Sequence, residues 1–191
     1  PSPSAGSLGG VAHHSRESII LCEAAGFDVI LLETVGVGQS EVEVKEMTDF
    51  FLLLMLAGAG DELQGIKRGI MEMADGILIN KADGQNIDAA KRAKREYQNA
   101  LHLFPPADNK WSPKVLTASA LKKTNLDLSW EMLEEYLEHT KKNGSFQTQR
   151  KKQLLSWFMK SIDELLQLSL YQSPNLQASM EALKREVEEQ K

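Results

Sequence analysis

The sequence predicts an α/β fold: a mostly parallel sheet with helices on both faces, followed by a helical arm. Three observations carry this. Short strand-like runs at 29–32, 50–56, 76–79 and 114–117, the first three apolar, alternate with longer stretches of helical periodicity. The runs show little of the polar alternation of a half-exposed strand, so they suit a sheet covered on both sides. Glycine-rich or polar loops follow their carboxyl ends, where parallel sheets hold ligands.

In chain order, residues 1–10 are rich in Gly, Ser and Pro and read as a loop. A helix follows over 15–25, with Ser15 as N-cap, Gly26 as stop, and Ile19, Leu21, Cys22 and Ala25 on its buried side. The strand at 29–32 ends in Glu33, and Gly36 and Gly38 punctuate the loop after it. A helix over 40–49 turns Val42 and Met47 inward and Glu41, Glu43, Glu46 and Asp49 outward. The second strand, 50–56, runs into the glycine-rich loop 57–61. Next comes a helix over 62–74, with Leu63, Ile66, Ile70 and Met73 at helical spacing. The third strand, 76–79, leads into Asn80-Lys81-Ala82-Asp83. A helix over 86–101 carries Lys91, Arg92, Lys94 and Arg95 as a solvated basic face. After the Pro105-Pro106 break, the fourth strand, 114–117, leads to Ser119-Ala120-Leu121 and a helix over 126–140. These elements form a first domain, 1–143, and residues 144–191 form the arm. Leu155, Phe158, Ile162 and Leu165 stripe a long helix there, and Ser173-Pro174 breaks and restarts it. Leu176, Met180, Leu183 and Val187 then recur at heptad spacing. This arm either packs back on the domain or pairs with a second chain.

A formal charge of −5 argues against broad binding to nucleic acid or an anionic membrane. The single cysteine, Cys22, excludes an internal disulfide framework and fits a reducing compartment. No run is long and apolar enough to span a membrane. His13 and His14 are adjacent on a helix and do not face one point, which disfavours a metal site there.

The chemistry gathers after the strands. Glu33, at a strand end and followed by a glycine loop, suits a magnesium and γ-phosphate sensor. Asp83 can accept two hydrogen bonds from guanine, at the ring N–H and the exocyclic amino group. Adenine offers no such pair, and an unpaired buried carboxylate is costly. Lys81 can lie along the base, and Asn80 can tie this loop to a neighbour. Ser119-Ala120-Leu121 fits a second base-contacting loop whose backbone N–H meets the guanine carbonyl.

These residues, with Glu33-Thr34-Val35-Gly36-Val37-Gly38-Gln39-Ser40-Glu41 and Gly58-Ala59-Gly60-Asp61-Glu62-Leu63-Gln64-Gly65-Ile66-Lys67, closely resemble one family. It is the methylmalonyl-CoA mutase-associated GTPases, the MeaB/ArgK group of the SIMIBI class of P-loop proteins. The resemblance runs up to about the long tail helix. It implies GTP or GDP and Mg2+ as ligands, with Glu33 helping to hold the metal. It makes 36–39 a switch II, with Glu33, Gly36 and Gln39 at the catalytic end. Gln39 does not stand at the spacing of a water-orienting glutamine. Asp61, Gln64 and Lys67 would belong to a switch III that relays nucleotide state to a client mutase. The implied function is a GTP-hydrolysing chaperone for an adenosylcobalamin-dependent methylmalonyl-CoA mutase. It would gate cofactor loading, dimerise through the last helices, and work in the cytoplasm or, in a eukaryote, the mitochondrial matrix. The sequence has no Gly-x-x-x-x-Gly-Lys-Ser/Thr loop. The expectation is therefore a fragment whose phosphate-binding half lies upstream, missing by truncation or by disorder, and inactive alone. The rivals are a nucleotide-dependent kinase linked to lysine, arginine and ornithine transport, and an inactive dimerising fragment. A metal-insertion GTPase is disfavoured by the shortage of Cys and His.

Overall fold

A computed structural model describes residues 8–34, 40–57 and 68–189. The chain divides into two compact units, 1–147 and 148–191.

The first unit is built on three parallel strands in the order β1-β2-β3: β1 Leu52–Leu56, β2 Gly76–Asn80 and β3 Lys114–Thr117. β1 pairs with β2 from Leu52↔Gly76 to Leu56↔Asn80, and β2 with β3 from Gly76↔Lys114 to Ile79↔Thr117. Helices α1 (Leu8–Ala24), α2 (Ser40–Met47), α3 (Arg68–Met73), α4 (Ile87–Leu101) and α5 (Leu126–Lys142) surround them in sequence. β2 is the centre, and both its neighbours are hydrogen-bonded to it. That explains its unbroken apolar run, with Ile77 and Ile79 fully buried. The core adds Val115 from β3, Val44 from α2, Met71 from α3, and Ala90, Ala93 and Tyr97 from α4. The spacing of the last three puts one face of α4 on the sheet, and the two alanines let the helix come close.

Gly76 is where the sheet meets α5. A Cβ there would lie 2.7 Å from Met132 Cε and 3.0 Å from Phe50 Cζ. Gly76→Ala should therefore destabilise by about 1–2 kcal/mol, the lower part of the overpacking range, because the end of Met132 can yield. Chemical denaturation of the variant against the parent checks this.

Three expectations need correcting. Residues 29–34 run outside any strand, and Leu31 is 88% exposed. An apolar run becomes a strand only beside a neighbour, and among the described residues β1 pairs on its β2 side alone. Helix α1 starts at Leu8, so Ser15 lies inside it and is not its cap. Ile19 is buried there, whereas Leu21 and Ala25 are exposed. In α2 Val44 is buried, and Val42 is exposed.

Asp75, just before β2, ties several elements together. Its carboxylate accepts from the Lys45 ammonium of α2, from the Phe51 N–H at 2.8 Å and from the Tyr136 hydroxyl of α5. Its backbone carbonyl accepts from Trp111 Nε1 at 2.8 Å. Trp111 and Phe50 both pack edge-on against Tyr136, with ring centroids 5.4 and 5.0 Å away. Burial pushes the Asp75 carboxyl above its ordinary range, outweighing the opposing pull of Lys45. Burial and the Asp75 charge push the Tyr136 hydroxyl up as well.

The second unit holds most of α6 (Ser145–Gln172) and all of α7 (Pro174–Glu188). Ser173 is extended and Pro174 opens the new helix, where its missing N–H costs nothing. Leu155, Phe158 and Leu165 of α6 are exposed, as are Leu176, Met180, Leu183 and Val187 of α7.

Candidate functional site

β2 and β3 are in register, so the loops that leave their carboxyl ends emerge side by side. The pairing continues past the strands: Ala118 N–H donates to Ile79 O at 2.9 Å and Ala82 N–H to Ala118 O at 3.0 Å. This places Asn80, Lys81 and Asp83 against Ser119, Ala120 and Leu121.

Asn80 Oδ1 accepts the N–H of Lys81 at 2.7 Å and that of Ala120 at 3.1 Å. One side chain thus ties both loops. Lys81 has φ 57, a left-handed conformation that costs an L-residue roughly 1–2 kcal/mol. The bond to Asn80 helps to hold it there. Ser119 is fully buried, and its hydroxyl donates to the Asp83 carboxylate. The same oxygen accepts the Lys122 N–H at 3.0 Å. Asp83 precedes a short 3-10 turn, Gly84–Asn86, that leads into α4, yet its side chain makes no capping bond to that turn. The carboxylate is therefore not used up as a helix cap. It stands half-buried, oriented by a neutral donor and with acceptor capacity to spare. Leu121 is 80% exposed at the rim. Chemically the arrangement is a carboxylate acceptor beside a loop of backbone donors, a shape suited to a flat base bearing N–H groups and a carbonyl.

Glu33 is exposed at the end of the unpaired segment 29–34. Gly36 and Gln39 lie outside the described residues, as do Asp61, Gln64 and Lys67. Among the described residues no three His, Cys, Asp or Glu side chains could hold a metal together. No described helix is long and apolar enough to cross a membrane.

Two contributors escaped the sequence analysis. The Ser119 hydroxyl orients Asp83, where only its backbone was expected to act. Residues 123–125 close the second loop, with Lys123 at φ 53 and Asn125 at φ 57. The asparagine was a usable signal, since Asn enters this conformation more readily than most residues. Lysine does not. Lys123→Gly is expected to stabilise the fold by about 0.5–1 kcal/mol, the relieved left-handed strain less glycine's added chain entropy. A small rise in Tm checks it.

Comparison with known proteins places this geometry. Residues 1–175 match the family model described as methylmalonyl Co-A mutase-associated GTPase MeaB. The chain is 46% identical over 189 residues to a Caulobacter vibrioides protein named as a GTPase, covering 99% of this chain and 58% of that protein. It is 46% identical over 164 residues to GTPase ArgK of Escherichia coli, covering 86% and 50%. It is 41% identical over 187 residues to the mouse methylmalonic aciduria type A homolog, mitochondrial, covering 98% and 45%. The crystal structure of an LAO/AO transport system kinase superposes with a TM-score of 0.76 at 38% identity, covering 95% of this chain and 58% of that one. The chain thus spans roughly half the length of the curated relatives it matches. With the match extending over 175 residues, the chain belongs to the methylmalonyl-CoA mutase-associated GTPase family, MeaB.

Proposed function

We propose that this chain supplies the guanine-recognition and partner-facing part of a GTPase that acts as a chaperone for an adenosylcobalamin-dependent methylmalonyl-CoA mutase. The observation that carries it is Asp83, a carboxylate held by Ser119 next to a loop that Asn80 fastens in place. Asp83 pairs with the ring N–H and amino group of guanine, and the 119–121 loop meets the base carbonyl. Lys81 covers the ring. Family membership supports the link to the mutase, and the relatives' names support GTP as the nucleotide.

Magnesium accompanies the nucleotide. A lone exposed carboxylate fits this role, since Mg2+ is commonly bound through one or two carboxylates, waters and the phosphates themselves. Glu33 is that carboxylate, acting directly or through water, with Gly36 and Gln39 toward the γ-phosphate. Asp61, Gln64 and Lys67 relay the nucleotide state to the mutase. The exposed apolar residues on α6 and α7 form a homodimer contact. The site of action is the cytoplasm, or the matrix for a mitochondrial protein.

A GTPase assay on the full-length protein, with and without mutase, tests this together with the mutase's cofactor loading. Faster hydrolysis and altered loading support the proposal. No change in either overturns it. The name of the solved neighbour suggests a transport-linked kinase, and phosphotransfer to a periplasmic binding protein would favour that reading.

A further inference from the structure

The loop after β3 is fastened at both ends. Ser119 and Thr124 exchange two backbone hydrogen bonds, each 3.1 Å. Immediately after this bridge, Asn125 takes φ 57 and ψ 23, and its side-chain Nδ2 donates to Thr117 O at 3.0 Å. Thr117 is the last residue of β3. Asn125 also stands directly before α5, but its side chain makes no capping bond to that helix. Its backbone carbonyl accepts the Ser129 hydroxyl at 3.2 Å. The amide is thus committed to the strand, and the backbone to the helix.

We propose that Asn125 is a positioning residue for base recognition: its amide pins the closing end of the 119–124 loop to β3 and so fixes the depth at which residues 119–121 meet the base carbonyl. This rests on the guanine-nucleotide reading above. Two features make the effect selective. Asn80 and Asp83 follow β2, and Ser119, which orients Asp83, is buried at the near end of the loop beside the Ala118–Ile79 bond, which does not use the Asn125 amide. The 119–124 loop rides on β3, and without the amide its far end keeps the Ser119–Thr124 pair and the Lys122 N–H bond to Ser119 Oγ but loses its tie to the strand. Loosening it weakens recognition at the carbonyl position more than recognition of the ring N–H and amino group.

Two variants separate this role from general stability. Asn125→Gly keeps the left-handed backbone free of strain and removes the amide. Asn125→Asp keeps size and backbone tolerance but replaces the donor with an acceptor. The probes are GTP, 6-thio-GTP and ITP, titrated against the full-length protein. Sulfur is a weak acceptor, so 6-thio-GTP alters the carbonyl position alone, and ITP lacks only the amino group. The parent should prefer GTP to both. In each variant the preference over 6-thio-GTP should fall by about fivefold, the worth of one ordinary hydrogen bond. The preference over ITP should stay at the parental value.

An unchanged 6-thio-GTP preference in a folded variant overturns the inference and leaves the guanine reading standing. A parent that binds ATP as well as GTP overturns the guanine reading and this inference with it. Amide exchange in the ligand-free parent gives a second test that needs no variant. Slow exchange at Ser119 and Thr124 supports the clamp, and exchange at free-loop rates overturns it.

Discussion

Asp83→Asn should lower GTP affinity by about a hundredfold or more. A hydrogen bond to a charged group contributes roughly 1.5–3 kcal/mol, and Asp83 is assigned two. One of the two is lost outright, and the donor left facing another donor adds a penalty of about 1–3 kcal/mol, so a sum of about 3 kcal/mol is two decades of affinity. The asparagine turns an N–H2 group toward the base's own N–H or amino group, so one contact becomes donor against donor. Xanthine carries a carbonyl where guanine carries the amino group, so XTP affinity should rise as GTP affinity falls. The fold should not suffer. The Ser119 hydroxyl can still donate to the asparagine oxygen, and the Asp83 side chain caps no helix. Calorimetric titration of the full-length protein with both nucleotides, beside a melting curve, decides it. An unchanged GTP affinity would remove Asp83 from the site.

Lys45→Met should have the largest effect on stability, a loss of about 2–3 kcal/mol. Removing one partner of a buried ion pair costs about 3–5 kcal/mol because the other charge is stranded. A value at or just below the foot of that range applies here, since the Lys45 side chain is 25% exposed although Asp75 is only 9% exposed. For a chain of this size that is roughly 4–12 °C in Tm. Asp75→Asn should be milder. Its oxygen can still accept the Phe51 N–H, and the released Lys45 can reach water. Combining the two should recover much of the loss, which a double-mutant cycle would report as coupling.

The pH dependence has a definite sign. The Asp75 carboxyl titrates above its ordinary 3.8 in the folded chain, so the native state holds this proton more tightly than the unfolded one. Its contribution is full below 3.8 and declines as pH rises through the folded-state value. In Lys45→Met the cation no longer opposes the shift, so the decline moves to higher pH. The Tm of that variant should approach the parent's as pH falls, while the double variant should show no such trend.

Much of this architecture is local information. The runs that became β1 and β2 are apolar and bounded by turns, and Ser173-Pro174 states its break in two residues. What failed was anything needing a distant partner. Residues 29–32 have the composition of a strand but no ladder, and no local pattern reports that. Lys45 and Asp75 are 30 residues apart, and a lysine on an acidic helix looks solvated until Asp75 is seen beneath it. The N-terminus of α1 was missed because Gly9 and Gly10 signal a loop, each costing a helix about 1 kcal/mol relative to alanine. In the loops after β2 and β3, the residue types of Asn80 and Asp83 were readable. The Ser119 hydroxyl and the Asn125 amide were not, because their targets are set by how two strands line up.

The outer flank of β1 decides how this polypeptide behaves on its own. Leu52, Leu54 and Leu56 face outward, and Leu54 is 59% exposed. Beside them run backbone groups that no described strand satisfies, a ready template for another molecule. Expressed by itself, the 191-residue chain should collect in inclusion bodies, and Leu54→Lys should raise the soluble yield. Equal yields for the two would show that this flank is shielded.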